Sequence, residues 1–239
     1  MTRANYLVIP WFISAENLIE LLILKMKWLT NYQQDVKKYV ALGGGSGWKH
    51  VLTEQGLWAL LQYRIDADVH RSPLPSPIKF PLRLVLMIWR KLVEIATGIS
   101  LPCTAQIGPG LYLPHCGMRV VNANAIIGSN CCICQGVTIG VSGRGEMRGV
   151  PVIGDRVYFG VNAVVVGKIS IGDDALIGAN SLVNRDVPAH CTVLGVPAIV
   201  TSERGSEEYL GNTRVSPVRS EVSADTLSTE THAANFKRA

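Results

Sequence analysis

The sequence predicts an α+β protein: an N-terminal α-helical region, then a parallel β-helix of hexapeptide repeats, then a polar tail. Three observations carry this. Up to about residue 100, apolar residues recur at helical spacing. From about residue 105 the period changes to six. After Val200 the chain turns to Ser, Thr, Glu and Arg with few large apolar residues. The expected division is a helical region over 1–100, a β-helix domain over 101–200 and a disordered tail over 201–239.

In the helical region, AENLIELLILKMKWL places apolar residues at i, i+3 and i+4, with Ser14 as its N-cap. GGGSG at 43–47 marks a break. A phosphate-binding loop would end in Gly-Lys-Ser/Thr, whereas Gly47-Trp48-Lys49 stands here, so it reads as a plain loop. LTEQGLWALLQYRI opens a second helix, with Thr53 as cap. RSPLPSPIKFP at 71–81 reads as a proline-rich connector, and LRLVLMIWRKLVEIATGI as a last amphipathic helix ending near Gly98.

The sixfold phase is clean from Ile153: IGDRVY, FGVNAV, VVGKIS, IGDDAL, IGANSL, VNRDVP. Position one reads Ile153, Phe159, Val165, Ile171, Ile177 and Val183; position five reads Val157, Ala163, Ile169, Ala175, Ser181 and Val187. An earlier run begins at Val121 and a fragment at Ile107. Each hexad makes one short strand and one bend, three hexads close a triangular coil, and stacked coils pair their strands in parallel. A position-one side chain points inward and stacks on its counterpart one coil away, each buried Ile or Val contributing ~1.5–3 kcal/mol. The phase breaks between Met118 and Val121, and again where VSGRGEMRGV (141–150) must leave the coil as a corner loop.

Composition bounds the function. The 239 residues are 48% hydrophobic, enough for a substantial core, and only 17% charged. A net charge of +5 suits an anionic ligand or simply a solvated surface, and no basic run interleaved with aromatics points to nucleic acid. Cys131 and Cys134 spell CxxC, but no second ligand pair follows for structural zinc, so no metal is expected. The crowding of Cys131, Cys132 and Cys134 does not resemble a secreted disulfide framework, which favours a reducing, cytoplasmic compartment. The apolar N-terminus is broken by Pro10, Glu16 and Glu20, too soon for a spanning helix. It also lacks a signal-peptide cleavage pattern, leaving room only for peripheral membrane contact.

One stretch stands apart: GLYLPHCGMRVVN, residues 110–122, with the only histidine between His70 and His190. His115 sits at position three of a hexad, which points outward, beside a phase break. A ring titrating near ~6.5 can take the proton of an alcohol as that alcohol attacks, a contribution of ~10²–10⁴-fold. An ordinary structural histidine is the alternative. His190, in the PAHC turn, reads as a corner residue, and His50 and His70 as solvated.

Over about residues 50–200 the order of helices, hexads, corner loop and GVPA resembles the serine acetyltransferase family of hexapeptide acyltransferases. The matching pieces are AQIGPGL, the His115 segment, QGVTIG, the 141–150 loop, IGANSLV and LGVPAIV. The resemblance implies a left-handed β-helix, a homotrimer or dimer of trimers, acetyl-CoA as co-substrate and His115 as general base. It places Gly140, Gly160 and Ala179 against the cofactor, with Lys168 and Arg185 toward its phosphates. Ser100, Arg144 and Arg148 fall at acceptor-binding positions.

The chain departs from the family at three places. Ser100 stands for the base's carboxylate partner, Pro114 for the Asp before the histidine, and Val150 for a second histidine. All three touch the amino-acid site, where a serine's charges would lose partners. From the sequence, the expected reaction is therefore acetyl transfer from acetyl-CoA to a sugar hydroxyl of a polysaccharide or its precursor. L-serine is the alternative acceptor, and a β-helix scaffold without chemistry is the alternative class. A metal enzyme of the three-histidine zinc kind is disfavoured, since the prism offers only His115 and His190.

Overall fold

The computed structural model describes residues 15–210. Helix α1 (Ala15–Gly43) runs well beyond the predicted segment, and its expected cap, Ser14, lies outside the described residues. The glycine-rich break follows, then α2 (Gly47–Thr53) and α3 (Gln55–Arg71). Thr53 does not cap α3. It ends α2, its hydroxyl donating back to the Lys49 carbonyl at 3.0 Å, and Glu54 with extended backbone takes the cap position. The proline connector is shorter than predicted, because α4 (Ser76–Thr97) already includes Pro77 and Pro81. Near a helix start a missing N–H falls among groups that have no intrahelical partner, so Pro77 is accommodated. Gly98 ends α4 as expected, in the left-handed region at φ 70°, its N–H donating to the Glu94 carbonyl at 2.8 Å.

A left-handed parallel β-helix follows. Its first face stacks Ile99–Ser100, Arg119–Val121, Thr138–Gly140, Val164–Val166 and Leu182–Val183. The second stacks Gln106–Ile107, Ile126–Ile127, Val152–Ile153 and Ser170–Ile171. The third stacks Cys132–Ile133, Tyr158–Phe159, Leu176–Ile177 and Thr192–Gly195, with Tyr112 bridged to Cys132 above them. Position-one residues align in register, as in Ile133↔Phe159 and Phe159↔Ile177, and they are buried along the prism axis. The register continues across the 141–150 insertion, with Ile127 opposite Ile153 and Ile139 opposite Val165.

The helices finish the open end of the prism. The first coil's strand edges would leave backbone groups unpaired. Side chains of α1 and α3 satisfy them. Asp35 accepts from Gly110 N at 2.8 Å and Leu111 N at 3.0 Å, and is held by Arg64 at 2.9 Å. Arg64 donates onward to the Ile107 and Gly108 carbonyls, both at 2.7 Å. Tyr39 donates to Leu113 O at 2.9 Å and accepts from Leu113 N at 3.1 Å. Tyr63 does the same for Ala105 O and Ile107 N. Burial alone would lower the Arg64 guanidinium, and the Asp35 carboxylate beside it more than reverses that.

The predicted disorder after residue 200 does not begin there. Ala198–Ser202 pairs antiparallel with Thr192–Gly195. The chain then returns along the prism to α5 (Glu207–Leu210). Ser206 N donates to Asp174 O at 2.8 Å and its hydroxyl to Arg156 O at 2.5 Å, while Leu210 is buried against Cys132 and Cys134. Residues 211–239 lie outside the described residues.

Candidate active site

His115 lies at the corner where the third face turns into the first, in the first coil. Leu113 points inward and is fully buried, and Tyr39 holds both its backbone groups. Two residues on, His115 is exposed and adopts φ 62°, the left-handed region that histidine enters more readily than most residues. What fixes this turn is Arg119. It has no exposed surface, and all its hydrogen bonds go to backbone carbonyls. Nε reaches Ile133 O at 2.8 Å, Nη1 reaches His115 O at 3.3 Å and Gly117 O at 3.2 Å, and Nη2 reaches Pro114 O. Burial lowers the Arg119 pKa, against the pull of Tyr39 and of the thiols nearby. The sequence reading missed Arg119. The available signal was its place inside the phase break.

A cavity of about 360 Å³ opens beside the imidazole, lined among others by Tyr112, Cys134, Gln135, Tyr158 and Tyr209. None of its lining residues carries a carboxylate, lysine or arginine side chain. Cys134 Sγ and Tyr158 Oη are hydrogen-bonded at 3.3 Å. The Cys132 thiol brings Cys134 down to about 6 despite burial, helped by Tyr158, Arg119 and His115. Cys132 rises in turn, and burial raises Tyr158.

The CxxC pair does not converge on a metal: Cys131 is fully buried, its thiol directed at the Gly154 carbonyl, while Cys134 faces the cavity. Among the described residues Asp174, His190 and Glu207 offer ligand atoms within 4.8 Å of one another, but the Arg156 guanidinium already sits on Asp174. His190 is otherwise the corner residue expected.

The residues expected around a cofactor fall on two edges of the first face. Gly160 and Ala179 share the corner column of His115, in the third and fourth coils. Ala179 is exposed there; Gly160 is buried. A Cβ on Gly160 would come within 2.5 Å of Ala179 N, so the approach of the next coil accounts for that glycine without any ligand. Gly140, Lys168 and Arg185 lie on the opposite edge, where the first face turns into the second. The 141–150 loop rises there, pinned by a Ser142–Gly149 bridge, and Arg144 and Arg148 line a concavity of about 500 Å³. Ser100 belongs to neither group. It sits on the first face opposite Val120, its hydroxyl donating to Glu94 Oε1 at 2.9 Å, outside the lining of the His115 cavity. Glu94, on α4, is itself paired with Lys91 at 2.6 Å and lines that cavity no more than Ser100 does. His50 is not free in solvent, since Nε2 meets the Gly44 carbonyl at 2.6 Å, and burial lowers the His70 pKa.

A triangular coil of hexads with a fixed imidazole on one corner defines a hexapeptide-repeat transferase, and residues 151–185 match the bacterial transferase hexapeptide family of six repeats. The chain belongs more narrowly to the serine acetyltransferase family. It is 35% identical over 161 residues to the serine acetyltransferase of Helicobacter pylori, covering 66% of this chain and 88% of that one. It is 32% identical over 160 residues to that of Synechococcus elongatus, where it spans 62% of the relative's length. Among solved structures it resembles the serine acetyltransferase of Neisseria gonorrhoeae in complex with serine, at TM-score 0.65 and 28% identity, covering 77% of this chain and 72% of that one. The soybean enzyme complexed with serine aligns at TM-score 0.66 and 25% identity, covering 78% and 74%.

Proposed function

We propose that the protein is an acetyl-CoA-dependent O-acetyltransferase in which His115 acts as general base. The observation that carries this is the imidazole itself: exposed, held on a corner by Arg119 and Tyr39, and aligned with Ala179 along one edge of the prism. His115 takes the proton of an acceptor hydroxyl as its oxygen attacks the thioester carbonyl. The tetrahedral oxyanion collapses, the carbon–sulfur bond breaks, and the CoA thiolate leaves and takes up a proton. The base supplies ~10²–10⁴-fold. Alignment of the two reactants supplies more.

A trimer completes the site. One protomer presents His115 and Ala179 on one edge, and Gly140, Lys168, Arg185, Arg144 and Arg148 on the other. In a closed ring the first edge of one subunit faces the second edge of its neighbour, which puts four cationic side chains near the phosphates of acetyl-CoA. The exposed apolar side chains of α4, including Phe80, Leu84, Ile88, Leu92 and Ile95, support burial against further subunits, as a dimer of trimers would provide. The setting is the reducing cytoplasm, which agrees with six free thiols.

The relatives favour L-serine as acceptor over the sugar hydroxyl that the sequence put first, since they are serine acetyltransferases and two were solved with serine bound. A neutral hydroxyl, such as a sugar's, is a second reading supported by two observations. Within one protomer the cavity beside His115 offers no charged partner for an ammonium or carboxylate, and Pro114 and Val150 stand at the positions where the family resemblance expects Asp and His. Thiol release from acetyl-CoA, run with L-serine against a panel of sugars, decides. Turnover of serine alone removes the sugar reading, and turnover of a sugar alone removes serine.

A further inference from the structure

Cys134 is a nucleophile that the proposed reaction does not use. Alternation along the strand turns Ile133 into the core and sends Cys132 and Cys134 outward, both into the cavity of His115. Arg119 lies buried nearby with hydrogen bonds only to carbonyls, and a buried guanidinium without a carboxylate draws an anion. Cys134 can supply that anion: its Sγ lies 3.3 Å from Tyr158 Oη, whose hydroxyl can donate to the sulfur once the thiol has ionised, and the Cys132 thiol beside it lowers its pKa. In the same lining, Gln135 Oε1 is buried without a protein partner, an acceptor free for the N–H or O–H of an incoming molecule.

We propose that Cys134 is a modification site: it takes small disulfides by exchange, and the mixed disulfide fills the cavity beside His115 and stops acetyl transfer. The inhibition rests on the functional reading above; the covalent chemistry does not. The thiolate attacks one sulfur of R–S–S–R, a new S–S bond forms, the old one breaks, and RS⁻ leaves with the electron pair. A free thiol reverses the step by the same route, so the disulfide is the only oxidant required. The groups that act on the sulfur are Cys132, Tyr158, Arg119 and His115, with Leu210 packed over it. With the Cys134 thiol brought down to about 6 by Cys132 and Tyr158, its exchange rate should fall by no more than about tenfold between pH 8.5 and pH 6. An ordinary thiol near ~8.5 falls about a hundredfold or more.

The test exposes the purified full chain to 2-hydroxyethyl disulfide at both pH values and maps adducts by peptide mass. The neighbouring exposed thiol, Cys116, is removed in a parallel Cys116→Ser sample. The expected result is a reductant-reversible adduct on Cys134, slowed by no more than about tenfold at pH 6 relative to pH 8.5, retained in Cys116→Ser and absent in Cys134→Ser. Tyr158→Phe should slow it several-fold at pH 6. Labelling confined to Cys116, or a hundredfold loss at pH 6, overturns the site. A full adduct on Cys134 with acetyl transfer unchanged overturns the inhibition. Absence of acetyl transfer in unmodified protein overturns the functional reading and the inhibition with it, while the adduct still decides the thiolate.

Discussion

Arg119 donates to the carbonyl of His115 at 3.3 Å, so the proposed base sits on a turn tied to a guanidinium with no exposed surface. A charge in that place is costly, and what it returns is geometry: three carbonyls of one turn converge on a single planar group.

Replacing it by an apolar side chain of similar length should therefore harm both stability and rate. Arg119→Met leaves the carbonyls of Pro114, His115, Gly117 and Ile133 without their donor. Each stranded acceptor costs ~1–3 kcal/mol, offset in part by relief of the buried charge, for a net loss of ~2–4 kcal/mol. Urea denaturation reads the stability, and thiol release reads the turnover, which should fall with it.

His115→Asn separates the turn from the chemistry. Asparagine tolerates the left-handed backbone found at φ 62°, so stability should change by less than ~0.5 kcal/mol. Thermal unfolding checks this. Loss of a stable fold in this variant would assign the histidine a structural role.

Asp35→Ala should be among the most damaging single changes, at ~3–5 kcal/mol, because it strands Arg64 in the interior. It also removes the acceptor for Gly110 and Leu111, which lead into the His115 turn. Denaturant midpoints compared with the wild type test it.

Ala179 and Gly160 should part company. Ala179 is exposed on the proposed groove, so Ala179→Phe should raise the KM for acetyl-CoA with the unfolding midpoint unchanged. Gly160→Ala meets backbone at 2.5 Å and should lower stability by ~1–3 kcal/mol whether or not cofactor is present. A stable Gly160→Ala variant impaired only in cofactor binding would restore the ligand role first expected of it.

The β-helix was legible because its signal is periodic and local: Ile153, Phe159 and Val165 need only one another's spacing to declare an inward row. The misread boundaries were set by tertiary context. Thr53 ends one helix instead of starting the next, and Pro81 is carried inside α4. The segment 203–210 has a tail's composition, yet it is ordered by carbonyls of Asp174 and Arg156 that no pattern in the tail announces. His115 could be found because a lone ring among glycines is conspicuous. Arg119 gave only a faint signal, its place inside the phase break, since it acts through carbonyls brought close by the coil.

The most direct measurement is the steady-state rate of CoA release from acetyl-CoA by wild-type protein and by His115→Asn, each with L-serine and with sugar acceptors, alongside acetyl-CoA affinity. The predicted result is acceptor-dependent turnover that drops at least ~10²-fold in the variant while affinity for acetyl-CoA is unchanged. Turnover in His115→Asn equal to wild type would contradict a proton transfer at this corner of the prism.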